Sequence, residues 1–267
     1  MLSNFHTHTN FCDGKNSPEE VVLSAIEKGF DCLGFSGHGY TPFDLTYCMK
    51  DTDEYISEIS RLKDKYKNKI QIYLGLEEDS RHFCDRDNFD YIIGSSHYIY
   101  VNGEYYPADE SPENLEKCIE AFGGDILKLA DAYYSSFVSY INKRKPDIVG
   151  HFDLITKFDE VGEPYFFGNK DYLELSEKYM AEALKNDVIF ELNTGAISRG
   201  LRKTPYPNEN LLYLINKQGG KVILSSDSHE AKTLDFYFKE SRKYLYDIGF
   251  RYVYVLHDNI FKKEILL

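Results

Sequence analysis

The chain has 267 residues, 42% hydrophobic and 28% charged, enough to bury the core of an α/β barrel and ordinary for a globular protein. Its formal charge of −13 excludes the cationic footprint that broad capture of nucleic acid needs. No apolar run approaches the roughly 20 residues of a membrane-crossing helix.

Short apolar runs bounded by polar punctuation predict strands at about 2–6, 31–36, 70–76, 90–95, 146–150, 188–192, 221–225 and 251–255. Helical patterns separate them. Ser17-Pro18-Glu19-Glu20 supplies a cap, a proline at the first helical position and two first-turn acids. Further helices are expected near 53–66, from about Asp125, and near 170–185, 208–217 and 234–247. The stretch Tyr98–Pro112 reads as a long loop or an excursion from the repeat, placed to act as a lid or a substrate-facing element. Strands alternating with helices predict parallel βαβ units, and seven or eight of them in one unit predict a barrel over residues 1–267. The start, Met1-Leu2-Ser3-Asn4-Phe5-His6, lacks the basic and apolar segments of a secretory leader. Cys12, Cys32, Cys48, Cys84 and Cys118 form no CxxC pair, as in a reducing compartment. Both features lead us to expect a cytoplasmic protein.

Histidines and acids recur at the strand ends. His6 and His8 close the first strand, and alternation along a strand lets both imidazoles face one ion while Thr7 turns away. Asp13 follows in a turn. His38 closes the second strand, Glu77 the third, His97 the fourth and His151 the fifth, while Asp227 and His229 follow the strand near 221–225. Nine residues of metal-binding type thus collect at the C-terminal end of the predicted barrel, where barrel active sites are built. Imidazole and carboxylate donors suit Zn, Mn or Fe. Glu77 and Asp227 supply the negative oxygens that adjacent divalent ions require, a set suited to phosphoryl transfer. His82 lies just past the third strand as a candidate substrate contact, and His257 is expected to be peripheral.

The runs His6-Thr7-His8-Thr9, Asp13-Gly14, Ser36-Gly37-His38, Gly75-Leu76-Glu77, Ser96-His97, Gly150-His151 and Ser226-Asp227-Ser228-His229 resemble, in order, the motifs of the PHP (polymerase and histidinol phosphatase) superfamily. More narrowly, Gly94-Ser95-Ser96-His97, Ile148 to Ile155 and Glu191-Leu192-Asn193-Thr194 look like its histidinol-phosphate phosphatases, which hydrolyse L-histidinol phosphate in histidine biosynthesis. The resemblance implies a distorted (β/α)7 barrel holding up to three divalent metal ions. By analogy, His6, His8, Glu77 and Asp227 hold one ion, Glu77, His97 and His151 a second, and Asp13, His38 and His229 a third.

On this reading a metal-bridging hydroxide attacks phosphorus, and Asp227 or His229 relays a proton to the leaving alkoxide. A small-molecule phosphomonoester is the expected partner, without stable nucleic-acid or membrane binding. Arg199 is the first choice for a phosphate clamp and Arg202 the second, with Lys157 and Arg81 as further contributors. Asn193 is expected to orient a ligand or the substrate from its strand end. Glu104 or Asp109, in the 98–112 stretch, are candidates to receive the ammonium and imidazole of the substrate. Alternative functions are a phosphodiesterase or nuclease and a metal-stabilised module without turnover.

Overall fold

A computed structural model describes residues 1–266; Leu267, the last residue of the predicted single unit, lies outside them. Eight parallel strands follow the predicted positions: β1 (Ser3–Asn4), β2 (Cys32–Phe35), β3 (Gln71–Asp79), β4 (Tyr91–Ser95), β7 (Ile148–Val149), β8 (Ile189–Asn193), β9 (Lys221–Ser225) and β10 (Tyr252–His257). They form one sheet in that order, with β11 (Ile260–Ile265) added antiparallel to β10. The sheet curls until its first strand meets β9. There Thr7 pairs with Ser228, and the His8 N–H donates to the Ser228 carbonyl at 2.8 Å. Below that bridge the Asn4 side chain replaces a ladder, donating to Ser226 Oγ (2.8 Å) and accepting from the Ser226 N–H (3.1 Å). The result is the distorted TIM-like barrel expected from the sequence.

The barrel has an apolar floor and a polar top. Phe5, Cys32, Tyr73, Tyr91, Ile93, Ile148, Ile189, Ile223, Val255 and Leu256 pack together inside it. Tyr91 lies across this interior, its hydroxyl donating to the carbonyls of Phe5 (2.5 Å) and Phe35 (3.1 Å). A Cβ on Gly34 or Gly75 would collide with the Tyr91 side chain, so both neighbouring strands need glycine where that ring crosses. At the floor, the turn between β10 and β11 reaches the start of β3, where Gln71 Nε2 donates to Asp258 Oδ1 (3.0 Å).

Helices cover the outside, and their starts follow the chemistry read from the sequence. Helix α1 (Pro18–Glu27) has a complete capping box between Ser17 and Glu20. Asp51 caps α2 (Thr52–Tyr66), Asp125 caps α4 (Ile126–Arg144), Asn169 caps α5 (Lys170–Ala183) and Asn208 caps α7 (Glu209–Lys217). Helix α8 (Phe238–Ile248) begins four residues later than the pattern suggests, after a 3₁₀ turn at Ala231–Thr233 and a left-handed Tyr237 (φ 63°). The 98–112 excursion is a hairpin, β5 (Tyr98–Val101) with β6 (Glu104–Pro107), followed by a helix that the pattern did not disclose, α3 (Pro112–Ala121). No helix among the described residues is long and apolar enough to cross a membrane.

Candidate metal centre

Because β1, β2, β3, β4, β7, β8 and β9 run parallel, their carboxyl ends open on one face, and the nine donors predicted from the sequence meet there. Glu77, near the end of β3 and 1% exposed, sits at the middle. Its Oε2 lies 2.9 Å from His38 Nδ1, 3.1 Å from His6 Nε2 and 3.5 Å from His8 Nε2. Its Oε1 faces the other way, 3.0 Å from His151 Nε2 and 3.4 Å from His97 Nε2. Asp227 Oδ1 lies 3.2 Å from His8 Nε2, and Asp13 Oδ2 lies 3.2 Å from His229 Nε2.

Ligand-type atoms converge within 4.8 Å of one another in four overlapping groups: His8, Asp13, His38 and His229; His6, Glu77 and His151; His6, His8 and Asp227; His38, Glu77 and His97. Several of these atoms are buried yet have no hydrogen-bond partner among the described residues, namely His6 Nε2, His8 Nε2 and Glu77 Oε2. Buried polar atoms are normally satisfied, so lone pairs aimed at a common point fit a divalent cation. Asp227 also holds a left-handed backbone (φ 47°), a conformation that costs energy for a residue with a Cβ and gathers at functional sites.

The electrostatics agree. Burial works against the charge of Glu77, but His6, His38 and His97 outweigh it and hold its carboxyl well below the usual range. Asp227 is likewise held low against burial, chiefly by Arg199 and His6. Burial, with His229 and His38 beside it, pushes His8 down to about 3, leaving a neutral imidazole with a lone pair to give. Burial also disfavours charge on His6, but Glu191, Glu77 and Asp227 together raise it well above the ordinary value. Carboxylates this concentrated demand a counter-cation.

Two carboxylates that sequence reasoning did not single out orient the imidazoles. Glu191 Oε1 accepts from His6 Nδ1 at 2.7 Å, and its Oε2 accepts from the His151 N–H (3.0 Å) and Asn193 Nδ2 (2.8 Å). Asp79 Oδ2 lies 3.2 Å from His97 Nδ1 and accepts the His97 N–H at 3.1 Å. Each turns the other ring nitrogen toward Glu77, the arrangement that fixes metal-binding tautomers. Both acids lie on strands, each two residues from a candidate position (Glu191 from Asn193, Asp79 from Glu77), and the alternation that faces them inward was the available signal. Glu191→Gln is expected to weaken metal binding about 10- to 100-fold without unfolding the protein, as measured by competition with a chromogenic chelator.

The remaining sequence candidates fall in different places. Arg199, at the end of the short helix α6 (Gly195–Ser198), borders the cluster: Nη2 donates to Asp227 Oδ2 (3.1 Å) and Nη1 to the Asp227 carbonyl (3.2 Å). Arg202 does not reach the cavity. It is 3% exposed, donates to Thr156 Oγ1 (2.7 Å), lies 3.5 Å from Glu160 Oε1 and stacks on Tyr206 at 4.2 Å, so its neighbourhood is that of a buried structural cation rather than a phosphate clamp. Asn193 is wholly buried, with its amide spent on Glu191 and on the Gly195 N–H (2.8 Å), and therefore acts on the site through Glu191 rather than on substrate. His82 packs edge-on against Tyr40 (6.0 Å) and is absent from the cavity wall, as is Arg81, which donates to the Tyr98 carbonyl (3.2 Å). His257 is at the opposite end, in β10, 2.8 Å from Asp258.

A cavity of about 260 Å³ opens over the cluster, walled by Asp13, His38, Glu77, His97, His151, Asp227 and His229 on the donor side and by Asp44, Tyr47, Tyr98, Asp109, Lys157 and Arg199 around it. The 98–112 hairpin supplies Tyr98 and Asp109, so it faces the ligand space as expected.

Residues 4–195 match the PHP domain. The chain is 30% identical to the probable histidinol-phosphatase of Schizosaccharomyces pombe, over 91% of this chain and 86% of that protein. It is 27% identical to the histidinol-phosphatase of Bacillus subtilis, over 88% and 96% of the two chains. Among solved structures, histidinol phosphate phosphatase from Lactococcus lactis, crystallised with zinc, L-histidinol and phosphate, shares the fold with a TM-score of 0.75 at 21% identity, over 98% of this chain and 99% of that one.

Proposed function

Because the chain belongs to the PHP domain family, we propose that it is the histidinol-phosphatase of that family, a metal-dependent phosphomonoesterase hydrolysing L-histidinol phosphate to L-histidinol and phosphate in histidine biosynthesis. One observation carries the reading: nine imidazole and carboxylate donors, several with no other partner, converge at the base of one cavity, seven of them on its wall, beside a guanidinium. The relatives that match along nearly the whole chain carry the same activity in their names.

The chain binds divalent metal. We assign up to three ions, drawn from Zn, Mn or Fe, to His6, His8, Glu77 and Asp227, to Glu77, His97 and His151, and to Asp13, His38 and His229. His8 also stacks on His229 at 4.0 Å, so the first and third sets adjoin. When bound, such ions acidify water and offset charge on the phosphoryl oxygens. The protein's own groups do the rest. Glu77 presents one oxygen to each side of the cluster, and Glu191 and Asp79 hold His6 and His97 in register. Arg199 offers two nitrogens to a phosphate dianion, which a bidentate guanidinium suits. Asp227 and His229 both border the cavity and are the groups placed to pass a proton to the departing alkoxide; His229, with 22% of its side chain open against 8% for Asp227, is the more accessible of the two.

We read residues 1–267 as one catalytic unit working on a small-molecule ester in the cytoplasm, with no stable nucleic-acid or membrane partner. The charge of −13 and the five free cysteines support this reading. Assays of metal-analysed protein on L-histidinol phosphate, other monoesters and short oligonucleotides decide the function. A preference of at least ~10²-fold in kcat/KM for L-histidinol phosphate is expected, since a pocket with placed polar groups discriminates at that level or better; a rate no better than for generic monoesters overturns it. Arg199→Ala is expected to lower kcat/KM by about 10²- to 10³-fold. Arg202→Ala should instead leave turnover near wild type and cost about 3 kcal/mol of stability in thermal unfolding, because it strips a buried ion pair.

A further inference from the structure

Outside the nine donors, the cavity wall contains one pair of opposite charges: Lys157 Nζ lies 2.9 Å from Asp109 Oδ2. Lys157 follows the 3₁₀ turn Leu154–Thr156 beyond β7. Asp109 follows β6, where the Ala108 N–H donates to the His97 carbonyl at 2.8 Å and pins the segment beside the cluster. Among the described residues neither side chain makes any other hydrogen bond. Glu78, buried on β3, shows what a structural acid looks like here: it accepts from Arg144 twice, from Tyr140 and from Cys84. The Lys157–Asp109 pair has none of that bracing, and it faces the ligand space.

The other acids of the region are occupied or turned away. Asp44 accepts from the Tyr98 hydroxyl (2.6 Å) and from Thr46. Glu110 also reaches the cavity rim, but it is exposed and accepts from Asn114 Nδ2 at 2.6 Å. Glu104 is exposed on the hairpin, accepts from the Tyr106 hydroxyl and does not line the cavity.

Resting on the assignment of L-histidinol phosphate as substrate, the charges of that molecule are the inverse of this pair: a phosphate dianion on one carbon and an ammonium on the next. We propose that the substrate enters by splitting the Lys157–Asp109 ion pair, Asp109 taking the ammonium and Lys157 turning to the phosphate, so that Asp109 distinguishes an amino-alcohol phosphate from other phosphomonoesters. Until then each charge neutralises the other in a half-buried wall, where an unpaired charge would be costly. Substrate exchanges one ion pair for two, and an ester without the ammonium leaves Asp109 unpaired once Lys157 moves. The hydroxyl of Tyr47, on the same wall, is buried without a partner among the described residues and offers a polar contact to the rest of the alcohol.

The test measures kcat/KM of wild type, Asp109→Asn and Asp109→Glu on L-histidinol phosphate and on the same ester lacking the amino group, with circular dichroism to confirm folding. Asp109→Asn is expected to lower kcat/KM for the amino ester about 10- to 100-fold, mainly through KM, and to leave the deamino ester unchanged or improved because Lys157 is freed. Asp109→Glu should recover part of the loss. Equal losses on both esters would overturn the proposal. So would a wild type that treats the two esters alike, a readout that needs no variant to fold. Failure of the phosphatase assignment would show differently, as no preference over generic monoesters.

Discussion

Glu77→Gln is expected to lower kcat by at least about 10³-fold while leaving a folded barrel. The change keeps the side chain's size and removes its charge. In the wild type five imidazoles lie within 2.9–3.5 Å of this one carboxylate, three on Oε2 and two on Oε1. An amide keeps a single acceptor and turns an N–H toward the other set of lone pairs, so one side of the cluster loses its anion whichever way it lies. A factor of 10³ is about 4 kcal/mol of transition-state stabilisation, in the range that metal-assisted charge neutralisation supplies. Kinetics and metal analysis on the same sample check it: bound metal should fall together with kcat. Activity within tenfold of wild type at full metal content would remove Glu77 from the centre of the chemistry.

Stripping the metal should have an equally large effect, on stability as well as turnover. Dialysis against a strong chelator is expected to abolish hydrolysis and lower Tm by roughly 10 °C, with both restored by added zinc or manganese. The physical cause is the set of buried atoms without partners, His6 Nε2, His8 Nε2 and Glu77 Oε2, each of which costs about 1–3 kcal/mol when left unsatisfied. An ion that binds only the folded state, at a thousandfold excess over Kd, contributes about 4 kcal/mol, and a chain of this size shifts by about 2–4 °C per kcal/mol. Scanning calorimetry of metal-loaded and stripped protein decides it; an unchanged Tm would mean that the cluster satisfies itself.

The strands and the donors were legible because both obey short-range rules. All eight predicted strands exist, and the nine candidate donors converge where alternation and strand ends put them. What escaped was legible in principle in three cases. Asn102-Gly103 joins β5 to β6 with positive φ at both residues (54° and 89°), the backbone that two-residue hairpins favour, and Asp258-Asn259 does the same for β10 and β11 (54° and 61°). Ser111-Pro112-Glu113 starts α3 with the same signal that Ser17-Pro18-Glu19 gives α1.

Other features depend on tertiary placement. Arg199 and Arg202 lie three residues apart, yet one borders Asp227 and the other is buried against Tyr206 and Glu160, a division set by packing around α6. Glu191 and Asp79 became visible as orienting groups only once the His6 and His97 rings had positions. His82 was read as site-facing from its distance to a strand end, but the turn after β3 carries it toward Tyr40.

The seam between β1 and β9 has a consequence for how the enzyme is made. His6 and His8 leave the ribosome more than two hundred residues before Asp227 and His229, and Asn4 finds Ser226 only across the same interval. Metal captured early would be held by the first pair alone. On the proposed ligand assignment, complete loading follows synthesis of β9 and the loop after it, and ions so held would tie the two ends of the wall together like a clasp. Cells short of the cofactor would accumulate an idle catalyst whose seam is held by the Asn4–Ser226 and His8–Ser228 hydrogen bonds alone.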